Sequence, residues 1–233
     1  MSIAVIPARG GSKRIPQKNI KMFAGKPMIA YSILAAIESA VFERILVSTD
    51  SLEIANVANQ FGAETPFIRP PELSDDYATT SDVMVHASQW IEENNGGVDE
   101  ICCIYPTAPL IGVSSMCQGR DKIRDGDWNY VFSATKFSYP IHRGLLKQID
   151  GSCKMLFPEN LHTRSQDLPE VWHDAGQFYW GRTIAWLEKR PIFSESSSFV
   201  ELPSYRVQDI DTIDDWTEAE IRFELLKRKE LSL

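Results

Sequence analysis

The chain has 233 residues, 43% of them hydrophobic, and a formal charge of −8 from 24 basic and 32 acidic side chains. That length buries a real core and suits a single α/β domain over 1–233 with one excursion. The acidic balance argues against a nucleic-acid surface, and no apolar run approaches the ~20 residues of a membrane span.

Met1-Ser2 leads directly into a strand without a cleavable signal, so a soluble, cytoplasmic protein is expected. Cys102, Cys103, Cys117 and Cys153 form no Cys-x-x-Cys pair and the histidines no His-x-x-x-His spacing, so structural zinc is not expected and the thiols read as reduced.

The first expected strand covers residues 3–7. Directly after it come Ala8, Arg9, Gly10, Gly11, Ser12, Lys13, Arg14, Lys18, Asn19 and Lys21, with five cations within thirteen residues of an otherwise acidic chain. A solvated basic loop is the bland alternative. The clustering instead asks for a local polyanion, because glycine backbone can curl N–H groups around an oxyanion while several cations spread over phosphate oxygens. A nucleoside triphosphate meets that demand. Walker A and dinucleotide-binding spacings are both absent, which disfavours a P-loop ATPase or a dehydrogenase.

A helix is expected from Pro27 through Ile37, then a strand at 44–48. Asp50 or Ser51 can cap a helix running through Phe61 to Gly62. A short strand is expected at 65–68, a helix at 81–94 stopped by Gly96-Gly97, a fully buried strand at 101–105, a helix at 114–124 and a strand at 131–135. This βα alternation predicts a mainly parallel sheet with helices on both faces. Arg69 and the stretch from Asp75 to Asp82 either serve a nucleotide or cap the next helix. Tyr105-Pro106-Thr107 follows the buried strand, at the strand end where open α/β sheets bind ligands, although a rigid proline turn explains it too.

The rhythm breaks near Phe137. Asp150-Gly151 between apolar runs is a hairpin signal, so residues 137–175 read as an excursion, a lid or a subunit contact. A strand returns at 176–180, and a helix closes the chain from about 212 to 229. Before that helix, Asp209, Asp211, Asp214 and Asp215 place four carboxylates in seven residues. Thr212 and Asp215 fit a capping box, and Asp214 complements the helix dipole. Asp209 and Asp211 remain, and on an extended chain both point to one side. Such a pair suits Mg²⁺, which keeps waters and bridges few carboxylates to phosphates, although turn chemistry alone also accounts for it.

The ordered segments Ile6 through Asn19, Val47 through Asp50, Arg69 through Leu73, Tyr105 through Leu110 and Asp209 through Thr212 resemble the acylneuraminate cytidylyltransferases over nearly the whole chain. Those enzymes carry Gln-Pro-Thr-Ser-Pro where this chain has Tyr105-Pro106-Thr107-Ala108-Pro109. The run Asp174-Ala175-Gly176-Gln177-Phe178-Tyr179-Trp180 is similar to the branch acting on pseudaminic acid. The resemblance implies a three-layer, Rossmann-like nucleotidyltransferase fold and a reaction of CTP with an acidic nine-carbon sugar giving the CMP-sugar and pyrophosphate.

It places the triphosphate on Arg9, Ser12, Lys13 and Lys18 and the loop N–H groups, the nucleoside near Asn19 and Arg69, and Mg²⁺ on Asp209 and Asp211. Tyr105, Pro106, Thr107, Asp174, and Arg164 or Gln177 are the sugar candidates. The proton acceptor stays open between Asp209 and hydroxide on the metal, and the excursion resembles a homodimer-forming insertion. The rivals are a CMP-N-acetylneuraminic or CMP-legionaminic acid synthetase, a glycosyltransferase, a sugar 1-phosphate nucleotidyltransferase and a non-catalytic nucleotide-binding regulator.

Overall fold

The computed structural model describes residues 1–230. In chain order they form β1 (Ser2–Pro7), β2 (Met22–Phe23), β3 (Lys26–Pro27), α1 (Met28–Ser39), β4 (Arg44–Ser48), α2 (Leu52–Gln60), α3 (Thr80–Asn94), β5 (Glu100–Ile104) and α4 (Val113–Asp125). Then follow β6 (Tyr130–Lys136), β7 (Leu145–Lys147), β8 (Cys153–Met155), β9 (Trp172–Arg182), α5 (Thr183–Leu187), β10 (Ser197–Leu202) and α6 (Ile213–Glu230).

Six strands make one sheet in the order β10-β6-β9-β5-β1-β4. Only β9 among them runs against its neighbours, pairing antiparallel with both β5 and β6. The sheet is therefore mixed and mainly parallel, as the βα alternation predicts. Side-chain alternation along β1 sends Ala4 and Ile6 to the face covered by α1, α2 and α4, and Ile3 and Val5 to the face covered by α3 and α5. Cys102 and Cys103 point to opposite faces by the same rule, and all four thiols are free.

Residues 65–68 do not form a strand. Pro66 has no N–H to offer a ladder, and the segment makes one isolated bridge, Ile68 with Thr49, while the bridge of Leu46 falls just before it on Glu64. The excursion is also shorter than 137–175, because β9 starts at Trp172. Within it the expected hairpin is present as β7 and β8, around Gly151 at φ +85°. The strand β10 has no counterpart in the sequence reading.

A third hydrophobic cluster lies outside the sheet. Ile15 of the basic loop, Phe23, Met28, Ile210, Trp216 and Ala219 are buried together. This cluster fixes the start of α6 against the loop that follows β1. The capping box forms as expected, with the Thr212 N–H donating to Asp215 at 2.7 Å and the Asp215 N–H donating to the Thr212 hydroxyl at 3.2 Å.

Candidate active site

Because β1, β4, β5 and β10 run parallel, the loops after them emerge along one sheet edge, and the start of β9 lies there too. The basic loop is pinned at several points. The Gly10 N–H donates to Asp50 Oδ1 at 2.8 Å, and the Asn19 amide donates to the Arg9 carbonyl at 2.9 Å. A Cβ on Gly10 would lie 3.2 Å from the Ser51 Cβ, so glycine here serves a close approach to the β4–α2 junction. The Gly10 N–H is thus used by Asp50, contrary to the expectation that it faces an oxyanion. Ala8 is buried, with its N–H on the Ser48 carbonyl at 2.9 Å. Ser51 rather than Asp50 caps α2.

Two clefts adjoin at Tyr105. The first, of about 440 Å³, is lined by Arg9, Ser12, Lys13, Arg14, Lys18, Asn19, Arg69, Asp76, Thr80, Tyr105, Pro106, Thr107 and Asp211. Lys18 Nζ donates to the Ile210 carbonyl at 2.6 Å and lies 3.5 Å from Asp211, which Arg14 also reaches at 2.8 Å. Arg69 is 3% exposed, with Nε on Ser74 at 3.1 Å, Nη2 3.8 Å from Asp50, and Nη2 without a hydrogen bond. Burial lowers its pKa against the opposing charge of Asp50.

The second cleft, of about 480 Å³, is lined by Tyr105, Thr135, Lys136, His173, Asp174, Gly176, Gln208, Asp209 and Arg222. β9 bulges opposite Ser133, whose hydroxyl accepts the Gln177 and Phe178 N–H groups at 3.2 and 3.3 Å. Gly176 turns at φ +62° and its N–H donates to Asp174 Oδ1 at 2.9 Å, while the buried Tyr179 hydroxyl donates to Asp174 Oδ2. These contacts fix the Asp174 carboxylate at the cleft wall.

The Asp-x-Asp pair differs from the expectation. Residues 207–212 are not a strand, and Asp211 lines the first cleft while Asp209 lines the second. They remain electrostatically coupled. Partial burial, and then the charge of Asp211, raise Asp209 above the usual carboxylate range. A cation between the clefts would relieve that repulsion. Among the described residues no cluster of three or more metal-ligating side chains exists, so a hard cation here would keep waters and take phosphate oxygens.

Two expected sugar residues lie off both clefts. Arg164 is exposed on the excursion and pairs with Asp167 at 3.3 Å. Gln177 is 3% exposed, and its amide donates to the Arg206 carbonyl and braces the segment before α6. Tyr105, Pro106 and Thr107 line the first cleft, with Tyr105 also in the second. The stretch from Asp75 to Asp82 divides its labour: Asp82 closes a capping box with Thr79 on α3, and Asp76 pairs with Arg9 and Lys13.

A cytidylyltransferase family model matches residues 3–232. The chain belongs to the cytidylyltransferase family. This cytidylyltransferase is 42% identical over 224 residues to the pseudaminic acid cytidylyltransferase of Campylobacter jejuni, covering 96% of this chain and 97% of that one. It is 31% identical over 227 residues to the CMP-N,N'-diacetyllegionaminic acid synthase of Legionella pneumophila, covering 96% of each. A solved CMP:2-keto-3-deoxy-manno-octonic acid synthetase complexed with CTP shares the fold, with TM-score 0.69 at 17% identity over 97% of this chain and 99% of that one. No helix among the described residues is long and apolar enough to cross a membrane.

Proposed function

We propose that this cytidylyltransferase joins CTP to pseudaminic acid, giving the CMP-sugar and pyrophosphate. The observation that carries the reading is the pair of clefts meeting at Tyr105, one lined by loop cations and the other by Asp174, with Asp211 on the first and Asp209 on the second. The pseudaminic acid named for the Campylobacter relative supports the choice of sugar.

Arg9, Ser12, Lys13 and Lys18 hold the triphosphate so that pyrophosphate leaves against positive charge. Arg69 offers its unbonded Nη2 to the nucleoside side, and Asn19 positions the loop through the Arg9 carbonyl. Tyr105 and Asp174 orient the sugar, and Lys136 offers an ammonium for its carboxylate. With both substrates held, attack of the anomeric hydroxyl on the α-phosphorus is largely a matter of position. Asp209 and Asp211 would hold Mg²⁺, which supplies charge neutralisation and a lowered hydroxyl pKa when bound. Asp209, lining the second cleft, offers its carboxylate to the hydroxyl proton.

The chain acts as a homodimer whose excursion contacts the partner. Leu145, Leu146, Ile149 and Leu161 stand exposed on it, and the exposed Arg164 is carried with them to the partner's surface. The test is pyrophosphate release with each nucleoside triphosphate and a set of acidic sugars, with and without Mg²⁺. Release is expected with CTP, Mg²⁺ and pseudaminic acid together. Release with another nucleotide, or with no sugar at all, would overturn the reading.

A further inference from the structure

The loop cations already hold an anion of the chain itself. Asp76 stands in the segment between residues 74 and 79, at the wall of the first cleft. One carboxylate oxygen accepts from Arg9 Nη1 at 3.0 Å and the other from the Lys13 ammonium. A single anion with two oxygens spanning Arg9 and Lys13 occupies the stance of a phosphate group. The same segment is folded by other contacts. Asp75 Oδ1 accepts the Tyr77 and Ala78 N–H groups at 2.9 and 2.8 Å, its carbonyl accepts from Arg9 at 2.8 Å, and Thr79 with Asp82 closes the cap of α3. Both oxygens of Asp76 are directed at the loop cations, and the hydrogen bond from Lys13, then its charge, depress the Asp76 pKa below the usual carboxylate value.

We propose that Asp76 is a counter-anion exchanged for phosphate oxygens at Arg9 and Lys13, and that it thereby sets the affinity for the pyrophosphate product. This rests on the reading of the loop as a triphosphate cradle. A phosphate chain reaching Arg9 Nη1 and the Lys13 ammonium competes with the carboxylate for them, and the carboxylate competes to return when pyrophosphate leaves. Ligands that do not touch these two cations escape the competition. Asp76 is therefore a specificity-determining residue that weakens binding of the β and γ positions and leaves the nucleoside monophosphate alone.

The experiment is calorimetric titration of the wild type, Asp76→Asn and Asp76→Ala with pyrophosphate and, separately, with CMP. Exposed ion pairs contribute modestly, so both variants should bind pyrophosphate about 3- to 30-fold more tightly. CMP affinity should stay within about twofold, since the two pairs do not concern it. Unchanged or weaker pyrophosphate binding in both variants would overturn the proposal, as would an equal tightening for CMP, which is the signature of a general surface-charge effect. A wild type that binds CMP but no pyrophosphate would remove the cradle reading itself, and this inference with it.

Discussion

Ile210 lies between Asp209 and Asp211 in the chain and is buried with Ile15 of the basic loop. Burial of the two isoleucines in one cluster therefore brings two charged motifs, nearly two hundred residues apart in sequence, to a common edge. The Lys18 ammonium completes the joint by donating to the Ile210 carbonyl. Removing it should cost a preorganised charge at the phosphates and slow turnover by on the order of 10²-fold or more. Asp211→Ala should abolish Mg²⁺-dependent turnover while leaving the unfolding midpoint near that of the wild type, because its side chain pairs with the exposed Arg14 and the partly buried Lys18 rather than with the core. Steady-state pyrophosphate release across a Mg²⁺ titration checks both variants, and wild-type rate for Asp211→Ala at limiting Mg²⁺ would remove the metal role.

At the scale of elements, the charged motifs and most helices are legible in sequence because each rests on local chemistry. Thr212 and Asp215 announce the start of α6, and Asp50 or Ser51 that of α2. The bulge in β9 is not legible, since it depends on Ser133 of another strand accepting two N–H groups. β10 begins in a serine-rich run that reads as loop, and its alternation of Val200 and Leu202 with Glu201 is short.

The α4–β9 contact is also hidden in sequence. A Cβ on Gly119 would come within 2.6 Å of Trp180 and 2.9 Å of Phe178. The Trp180 ring is held by its bond to the Met116 carbonyl and by stacking on Phe42. Gly119→Ala should thus destabilise by about 1–3 kcal/mol despite the better helix propensity of alanine, read as a lower urea midpoint.

Asp82 gives an element-scale prediction that depends on pH. Its bonds to Lys189 and Thr79 depress its pKa to about 2 from 3.8. A depressed carboxylate contributes stability that is present above the unfolded value and lost as pH falls through the folded one. Asp82→Asn should accordingly be less stable than the wild type at pH 7, and the difference should shrink between about pH 4 and pH 2. Urea unfolding at several pH values checks it, and a constant difference would contradict it.

For the whole molecule, the order of strands puts the proposed contacts at one edge of the sheet, with Arg164 away from it and Gln177 at it but buried. Gln177 faces inward because the bulge turns it toward Arg206, which no spacing in the sequence reveals. Arg164 lies on the excursion, so under the proposed dimer its contribution belongs to the partner's site. Mixing inactive Lys18→Ala subunits with Arg164→Ala subunits should restore part of the activity, up to about one site in the mixed dimer, if the excursion serves the partner. No recovery, with mixed dimers shown by mass, would confine Arg164 to its own surface.

The choice of sugar is tested most directly by competition. Limiting CTP would be given with an equimolar mixture of pseudaminic, N,N'-diacetyllegionaminic and N-acetylneuraminic acids, and the CMP-linked products resolved by mass spectrometry. CMP-pseudaminic acid should dominate. A mixture dominated by the CMP derivative of either other acid would contradict the assignment.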